Sequence, residues 1–427
     1  MAEFPSLKLR LALLAYGLLW AVGLPFVLFY LWRRGRRDAD YTAHLAERFG
    51  RHATPMRGAV WVHAVSLGEF RSALPLIRAL LARGDRVVIT HFTPAGRRES
   101  TRVLAAEIAA GQVRVVWVPF EFSICFKGFF RVFQPKYGLV MEIEIWPRMI
   151  LAARAAGVPL FMCNAQYPSK SYARDGRRGL RSQLMRGFAG ALVKSDLQRD
   201  RFASVGVAPI AVTGELRFDQ PVPAAHLAAG ARLKPARPVI AIASAVEGED
   251  DGYIQTIKAL RAKDDVSLVV YVPRAPERFD AVATMLQDAG LTVARRSDCL
   301  GPDLSGTIPE GIDVFLGDSL GEMYFYLSLA DRVVVGGGFT PKGAHNIIEP
   351  LALRKAVLAG PEVWTIEYPF AEAETAGVAR KLQDFAALAE ALAHPQDPTP
   401  EAIEAFFAAH SGATQKTLAA IDRFTRR

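Results

Sequence analysis

Cysteine is scarce in this sequence, and its scarcity excludes two common ways of building a small fold or a site. Only 3 of the 427 residues are cysteine, and Cys125, Cys163 and Cys299 lie far apart with no CxxC or Cys/His ligand spacing. A structural zinc site and a disulfide framework are therefore not expected. So few cysteines also fit the reducing cytoplasm.

Charged residues are few as well, at 22% of the chain against 51% hydrophobic residues. Such an apolar composition argues against disorder over most of the length, and 427 residues predict two or more domains. The net charge of +9 suits an anionic membrane surface, an anionic substrate or nucleic acid, or simply a basic soluble surface. Because no motif for stacking bases is present, we expect no nucleic-acid partner.

One stretch has no charge at all. The 22 residues from Leu11 to Trp32 are long enough to cross a bilayer, and four arginines follow within residues 33–37. The positive-inside rule places that end in the cytoplasm, so we predict an uncleaved membrane anchor in residues 1–37. A cleaved signal peptide is the main alternative, although the run is long for one and no clear cleavage site follows. The other alternative is a helix that lies in the interface without crossing.

No fixed-period repeat is visible, and after the anchor apolar strand-like runs alternate with helix-like segments. The runs are 59–65, 86–92, 113–119, 137–143, 158–163, 190–194 and 210–214, then 238–244, 266–272, 291–295, 312–316, 332–336 and 356–359. Continuous apolar runs separated by helices indicate parallel sheets covered on both faces.

A stretch with three prolines and no strand signal, 219–237, divides the two sets of runs and predicts a linker. The sequence therefore predicts two Rossmann-like, doubly wound α/β domains, at 38–218 and at 238–427 with C-terminal helices. Ligands of such sheets bind at the carboxyl ends of the strands, which here would face a cleft between the domains.

The first candidate site follows the first strand, where Ser66, Leu67 and Gly68 lead to Glu69 at the start of a predicted helix over 69–83. Ser66 and Glu69 have the S-x-x-E spacing of a capping box, and an acid in the first turn is favoured by the helix dipole. Spacing alone therefore favours helix capping, and a carboxylate that faces the cleft is the functional alternative.

Two further carboxylates, Glu142 and Glu144, end the fourth strand. Two residues apart in a strand, they would point the same way, and Trp146-Pro147 would then open a helix. Burying paired acids is costly, which favours a function over solvated strand-end charges. Polar residues also follow the fifth strand, namely Asn164, Gln166 and Lys170.

The second domain has a glycine-rich loop, GGGFTPKGAHNIIEP, from Gly336 to Pro350 after a run of valines. Such a loop before a helix can hold phosphate through backbone N–H groups, although it matches neither the P-loop nor G-x-G-x-x-G. Glu349 is placed to take a ribose hydroxyl. The candidate phosphate-binding residues are Gly336, Gly337, Gly338, Lys342, Gly343, His345 and Asn346, and lesser candidates at neighbouring strand ends are Ser244, Glu247, Arg274 and Gly317.

These motifs together resemble the 3-deoxy-D-manno-octulosonic acid (Kdo) transferases of lipopolysaccharide assembly, over nearly the whole chain. The motifs are E-R-F-G at 47–50, S-L-G-E at 66–69, T-P-A-G at 93–96, E-I-E-I-W-P at 142–147, V-P-R-A-P-E-R at 272–278, G-D-S-L-G-E-M at 317–323 and the loop at 336–350.

The resemblance implies a GT-B glycosyltransferase at the bacterial inner membrane with its catalytic domains in the cytoplasm. It implies transfer of Kdo from CMP-Kdo to a hydroxyl of a lipid A precursor, with inversion, no metal and no cofactor. By resemblance Glu69 is the catalytic base, the glycine-rich loop holds the CMP phosphate, and Asn346 and Glu349 contact the nucleotide. Acceptor or sugar contacts are assigned to Ser66, Gly68, Glu142, Glu144, Asn164, Gln166, Lys170 and Arg48.

The sequence departs from the family pattern in a few positions. Gln166 stands where the family has arginine, Pro168 where it has serine, Val246 where it has histidine, and Ala344 where it has glycine. Two potential partners of an anionic sugar or phosphate are thereby lost. The departures leave open a transferase with another nucleotide sugar or acceptor, or a non-catalytic paralogue that binds lipid.

Basic residues near the anchor suggest how a lipid acceptor is attracted. Arg48 and Arg51, with the arginines of residues 33–37, are predicted to meet anionic inner-membrane phosphates. The alternative is that these arginines only fix the orientation of the anchor.

Overall fold

The computed structural model describes residues 4–176, 179–263 and 266–426, which form two units. The first unit extends to Gln220 and takes in the chain from Ser411 onward, and the second runs from Pro221 to His410. Each unit is built on a seven-stranded, wholly parallel sheet. The prediction of two doubly wound α/β folds is confirmed.

The first sheet has the strand order β3-β2-β1-β4-β5-β6-β7. Its strands are β1 (Val60–His63), β2 (Val87–His91), β3 (Val113–Trp117), β4 (Tyr137–Met141), β5 (Leu160–Ala165), β6 (Gly190–Val193) and β7 (Ile210–Val212). The helices of this unit are α1 (Leu7–Gly35), α2 (Leu45–Arg48), α3 (Leu67–Ala82), α4 (Pro94–Val103), α5 (Ala105–Ala109), α6 (Ser123–Phe133), α7 (Pro147–Ala155), α8 (Ser169–Asp175), α9 (Leu180–Met185), α10 (Asp196–Ser204) and, from the end of the chain, α20 (Ala413–Thr425).

The second sheet has the strand order β10-β11-β9-β8-β12-β13-β14. Its strands are β8 (Val239–Ala245), β9 (Leu268–Pro273), β10 (Val293–Arg295), β11 (Val314–Leu316), β12 (Arg332–Val335), β13 (Val357–Ala359) and β14 (Ala379–Lys381). Its helices are α11 (Ala224–Leu233), α12 (Asp250–Arg261), α13 (Phe279–Asp288), α14 (Arg296–Cys299), α15 (Met323–Leu329), α16 (Ile348–Ala352), α17 (Glu367–Thr375), α18 (Phe385–Ala393) and α19 (Pro400–His410).

In each sheet the direction in which successive strands are added reverses once, between β1 and β4 in the first sheet and between β8 and β12 in the second. In open parallel sheets the crevice outside the carboxyl ends of the strands at such a switch point is where ligands bind. The segments that follow these four strands are therefore the first places to look for a site.

The unit boundaries differ from the predicted domains. The predicted linker 219–237 contains helix α11, where a Cβ at Gly230 would clash with Ser328 of α15, so the helix packs closely on the second unit. The chain from residue 411 belongs to the first unit rather than to 238–427. Its helix α20 buries Leu418 and Ile421 in the first core, and Asp219 accepts hydrogen bonds from the backbone N–H groups that begin it.

Helix α1 is longer than the uncharged run that predicted it. One side packs on the first unit, where Leu9, Leu13 and Leu31 are buried, while the opposite side is apolar and exposed. Its length and hydropathy satisfy the requirements for a membrane-crossing segment, a test that a signal sequence would also pass.

Candidate functional site

Glu69 is held at the switch point of the first sheet by the start of helix α3. Ser66 is the N-cap, and its hydroxyl accepts from the Glu69 N–H at 3.3 Å. The Glu69 carboxylate reaches back to accept from the Val65 N–H at 2.8 Å and from the Ser66 hydroxyl at 3.2 Å. The capping interpretation is therefore confirmed, and it fixes the carboxylate beyond the carboxyl end of β1.

The environment of Glu69 favours its protonated form. Burial raises its pKa to about 8, the Val65 N–H opposes that shift, and the charges of Glu144 and Glu142 add to it. A carboxyl group with a pKa near neutrality is suited to exchanging a proton with a substrate hydroxyl. Capping and proton transfer are thus compatible in one side chain.

The residue before Glu69 leaves the approach to it open. Gly68 is exposed, and a Cβ placed on it would meet nothing closer than the Ser66 hydroxyl at 4.0 Å. Packing within the described residues does not require glycine at this position. The space beside Glu69 is therefore available to a substrate.

Glu142 and Glu144 differ from the prediction that both lie in a strand and point the same way. Strand β4 ends at Met141, and Glu142 has a left-handed backbone with φ of 57° in the turn that follows. Glu144 accepts from the Trp146 indole N–H at 2.7 Å, just before α7. The charges of both carboxylates nevertheless act on Glu69 and contribute to its raised pKa.

Glu142 is joined to a buried ionic network that the sequence did not indicate. The Lys194 ammonium, at the end of β6, lies 3.0 Å from Glu142 Oε1 and 2.7 Å from Glu215 Oε2. Lys194 and Glu215 are 5% and 3% exposed. Burial disfavours the ammonium, but the two carboxylates outweigh it and raise the pKa of Lys194. The pKa of Glu215 is lowered, since Lys194 and Arg217 outweigh its burial.

Two predicted residues on β5 and beyond complete this network. The Asn164 amide, with a left-handed backbone, donates to Glu215 Oε1 at 2.8 Å and to Glu142 Oε1 at 3.3 Å. Gln166 Oε1 accepts from Lys194 at 3.2 Å. Asn164 and Gln166 are buried, so they hold Glu142 in place rather than line an open surface. Lys170 lies exposed on helix α8.

Arg48 does not lie where the prediction placed it. It is 2% exposed, stacks over Trp117 at 4.2 Å and donates to the Phe92 carbonyl at 3.2 Å. Burial, followed by the charge of Arg97, lowers its pKa to about 10. The expectation that Arg48 meets lipid phosphates is therefore wrong, whereas Arg51 is exposed.

In the second unit the glycine-rich loop follows β12 at the switch point, but part of it is already occupied. Glu249, fully buried, accepts from the Gly337 N–H at 2.8 and 2.7 Å and from the Phe339 N–H at 3.0 Å. It also accepts from the Val246 N–H at 3.1 Å. The Gly336 N–H donates to the Ala243 carbonyl. The prediction that the amides of 336 and 337 cradle a phosphate is therefore wrong.

The glycines of the loop serve close packing instead. A Cβ at Gly336 would lie 2.6 Å from the Ser244 carbonyl oxygen, and one at Gly338 would lie 2.7 Å from the Gly360 nitrogen. Gly343 is positive in φ, at 89°, and its Cβ would clash with Thr365. These contacts set the path of the loop against the ends of β8 and β13.

Polar side chains of the loop remain candidates for a ligand. His345 lies near Arg274, and burial, followed by that charge, lowers the pKa of His345 to about 4, so the ring is neutral at pH 7. Lys342 is exposed, 3.7 Å from Glu247, and its ammonium donates to the Glu247 carbonyl. The Asn346 side chain accepts from the Ile348 N–H at 3.0 Å.

The helix after the loop begins at Ile348, and Glu349 lies in its first turn. Ser244 has a left-handed backbone with φ of 62° at the end of β8. Gly317 packs against Tyr326 and Val272, where a Cβ would be 2.9 Å from each, so it is a packing position.

The cavities coincide little with these residues. One of about 550 Å³ in the second unit takes in Glu247 but none of the other candidate residues. One of about 800 Å³ in the first unit lies along helices α6 and α7, lined by Lys127, Phe130 and Arg148 among others. It shares no lining residue with the carboxylate cluster and has no acid in its lining. We therefore place the candidate chemistry at the switch points. Among the described residues no group of three or more His, Cys, Asp and Glu is arranged to hold a metal ion.

Comparison with solved structures defines the class of fold. A glycosyltransferase from Rickettsia africae matches with a TM-score of 0.55 and 12% identity over 87% of this chain and 98% of that one. A putative UDP-N-acetylglucosamine 2-epimerase from Listeria monocytogenes matches with a TM-score of 0.56 and 16% identity over 86% and 96%. At these identities the likeness shows a GT-B-like fold and no more.

Comparison of sequences shows the family. The family described as 3-deoxy-D-manno-octulosonic-acid transferase (kdotransferase) matches residues 43–220. The Bordetella pertussis 3-deoxy-D-manno-octulosonic acid transferase is 40% identical over 93% of this chain and 96% of its own length. The Haemophilus influenzae enzyme of that name is 30% identical over 81% of each. The chain belongs to the Kdo transferase family and is a glycosyltransferase, as the motifs predicted.

Proposed function

We propose that this chain transfers Kdo from CMP-Kdo to a hydroxyl of a lipid A precursor, by the inverting, metal-independent reaction that the family resemblance implies. Glu69 carries the proposal, because its carboxylate is fixed by Val65 and Ser66 at the first switch point with a pKa raised to about 8. We assign the acceptor to the first unit and the donor to the second.

The proposed step is a displacement at the anomeric carbon of Kdo. The acceptor oxygen forms the new bond while its proton passes to the Glu69 carboxylate, and the bond from the sugar to the CMP phosphate breaks. A base with a pKa close to the working pH is strong enough to accept that proton. Only its deprotonated form acts, so turnover is expected to rise as the pH passes through about 8.

The leaving phosphate gains charge as the bond breaks, and cationic side chains near it would stabilise that charge. Since Gly337 and Phe339 donate to Glu249, we assign this role to two cationic side chains, Lys342 in the loop after β12 and Arg274 at the end of β9. The neutral ring of His345 and the side chain of Glu349 are assigned to the nucleotide.

The direct test is release of CMP from CMP-Kdo with a lipid A precursor, comparing the wild type with Glu69→Gln. Gln keeps an acceptor for the Val65 N–H but cannot accept the proton, so we expect turnover to fall by more than about 10²-fold. Asp200→Asn, at an exposed position, is the control. Unchanged turnover in Glu69→Gln would contradict the base assignment.

The departures at Gln166 and Val246 leave another donor as the second candidate, and ligand-induced thermal stabilisation separates the two. Stabilisation by CMP supports the proposal, whereas stabilisation by UDP and not by CMP would contradict it. Tight lipid binding without turnover of any donor would indicate a non-catalytic paralogue.

For localisation, we propose association with the bacterial inner membrane through helix α1, with both units in the cytoplasm.

A further inference from the structure

Helix α1 contacts the first unit along almost its whole length. At its start Ser6 donates to Gln183 at 2.7 Å, and near its end Leu31 is buried beside Phe120 and Cys125. From Leu9 to Leu31, both buried, the helix rises roughly 33 Å at about 1.5 Å per residue. The docked length therefore equals or exceeds the hydrocarbon thickness of a bilayer, about 30 Å.

The middle of the helix is held by polar groups of the first unit. The Arg148 guanidinium donates to the Leu13 carbonyl at 2.7 Å, and the Tyr16 hydroxyl donates to Glu121 Oε2 at 3.2 Å. Trp20 packs its ring 5.9 Å from that of Phe122. If α1 crossed the bilayer in this docked form, these groups and the loop before α6 would lie in hydrocarbon. Irregular backbone and charged side chains are strongly disfavoured there.

The face turned away from the unit is apolar and has no protein partner among the described residues. Leu14, Leu18, Leu19 and Phe26 are each at least 67% exposed, and other apolar side chains extend this surface to both ends, namely Leu7, Leu11, Val22, Phe29, Tyr30 and Trp32. So large a contiguous apolar surface marks an interaction with a partner or a membrane.

Cations flank this face at both ends. Lys8 and Arg10 lie exposed in the first turn, Arg33 and Arg34 lie exposed in the last, and the exposed Arg36 and Arg37 follow directly. A helix that crosses with its positive end inside concentrates its cations at one end, whereas a helix lying along an anionic surface benefits from cations at both. The charge pattern matches the face of an anionic leaflet.

We propose that α1 does not cross the membrane but lies in the plane of the cytoplasmic leaflet. Its exposed face enters the acyl region, its terminal cations bind anionic lipid head groups, and its other face stays docked on the first unit. The arrangement is that of an in-plane interfacial helix. The side of α1 turned away from the membrane packs on the first unit instead of facing water. This arrangement replaces the predicted crossing anchor. The proposal does not depend on which sugar the enzyme transfers.

The two arrangements place the start of α1 on opposite sides of the membrane. In a Cys299→Ser background, in which Cys125 and Cys163 are buried, Lys8→Cys is treated with a membrane-impermeant maleimide. We expect no labelling in intact spheroplasts and labelling in inverted vesicles. Asp196→Cys, on the exposed surface of the first unit, reports the domain side and should behave identically. Labelling of Lys8→Cys in spheroplasts would overturn the proposal.

A second variant and a mass measurement cover the remaining outcomes. Arg10→Cys, also exposed in the first turn of the helix, repeats the test should Lys8→Cys fail to accumulate. The intact mass of the membrane-extracted wild type must include residues 1–35, since loss of this segment would show a cleaved signal peptide and overturn the proposal.

Depth along the helix is the independent measurement. Environment-sensitive fluorophores on Leu11→Cys, Leu18→Cys and Phe26→Cys are quenched by lipid-borne nitroxides in phosphatidylethanolamine–phosphatidylglycerol vesicles. We expect all three at one shallow depth, because an in-plane helix keeps its length parallel to the surface. A crossing helix places Leu18 deepest, and an unquenched face that cross-links between chains would show a second copy as its partner. Either result would overturn the proposal.

Discussion

The carboxylate of Glu249 accepts from the backbone N–H of Gly337 through both of its oxygens, at 2.8 and 2.7 Å. Glu249 begins the helix that follows β8, and Gly337 lies in the loop that follows β12, so this bond joins the two strands of the second switch point. An internal carboxylate thus fixes the loop by the same N–H groups that a phosphate would use.

Replacing Glu249 should loosen the glycine-rich loop. Glu249→Ala leaves the buried N–H groups of Gly337, Phe339 and Val246 without their acceptor, and each unsatisfied group costs about 1–3 kcal/mol. We expect a lower midpoint of urea unfolding and a higher KM for the donor. Glu247→Ala, whose side chain is 81% exposed two residues away, is the matched control and should change the midpoint little. Equal effects of the two variants would contradict the role of Glu249.

Gly68→Ala should separate activity from stability. Alanine is favoured over glycine in a helix by about 1 kcal/mol, and its Cβ meets no close atom here, so the variant should be as stable as the wild type or slightly more so. Because that Cβ enters the space beside Glu69, kcat/KM should fall.

The control is Gly84→Ala, which also has open space around its Cβ but a φ of 85°. It should lower the unfolding free energy by about 1–2 kcal/mol and leave kcat/KM unchanged. Steady-state kinetics and chemical denaturation of both variants make the comparison. Full activity in Gly68→Ala would show that the acceptor does not use this space.

Removing the cation of the buried network should be costly. Lys194→Met leaves Glu215, 3% exposed, without its ion-pair partner, and breaking a buried pair in this way costs about 3–5 kcal/mol. The double variant Lys194→Met with Glu215→Gln removes both charges and should recover part of that loss. Denaturation of the two single variants and the double variant measures the coupling, and simple additivity would contradict a direct pair.

Local patterns predicted much of the fold. All seven strands of the first sheet and six of the second lie within a few residues of the apolar runs, because a strand buried on both faces must be apolar throughout. Strand β14 was missed, since Ala379–Lys381 has only three residues, two of them basic and exposed. Ser66 and Glu69 were identified because a capping box is itself a local pattern.

Interactions between residues distant in sequence were not predicted. Glu249 bonds to a loop 88 residues away, and Asn164 bonds to Glu215 across 51 residues, which no local spacing encodes. Arg48 illustrates the opposite error: its charge suggested a surface position, but the ring of Trp117 covers it. Burial and partner choice belong to the tertiary structure, and a single sequence shows only residue type and spacing.

The raised pKa of Glu69 predicts opposite pH trends for activity and stability. The folded-state pKa of about 8 exceeds the ordinary value of 4.5, so the folded protein binds this proton more tightly than the unfolded chain does. The resulting stability is complete below pH 4.5 and is lost as the pH rises towards 8. Over the upper part of that range the deprotonated, catalytically active fraction increases. Wild-type turnover should therefore rise between pH 6.5 and about 8.5 while this contribution to stability declines.

Glu69→Gln has no proton to lose and separates these trends from those of the rest of the protein. Relative to that of the wild type, its free energy of unfolding should increase as the pH rises from 4.5 to about 8, because only the wild type loses stability over this range. Its residual turnover should lack the rise near pH 8. Urea unfolding and CMP release, each measured at several pH values, provide both profiles. Parallel stability profiles in wild type and variant would place the pKa of Glu69 at its ordinary value and remove the physical basis for its role as the base.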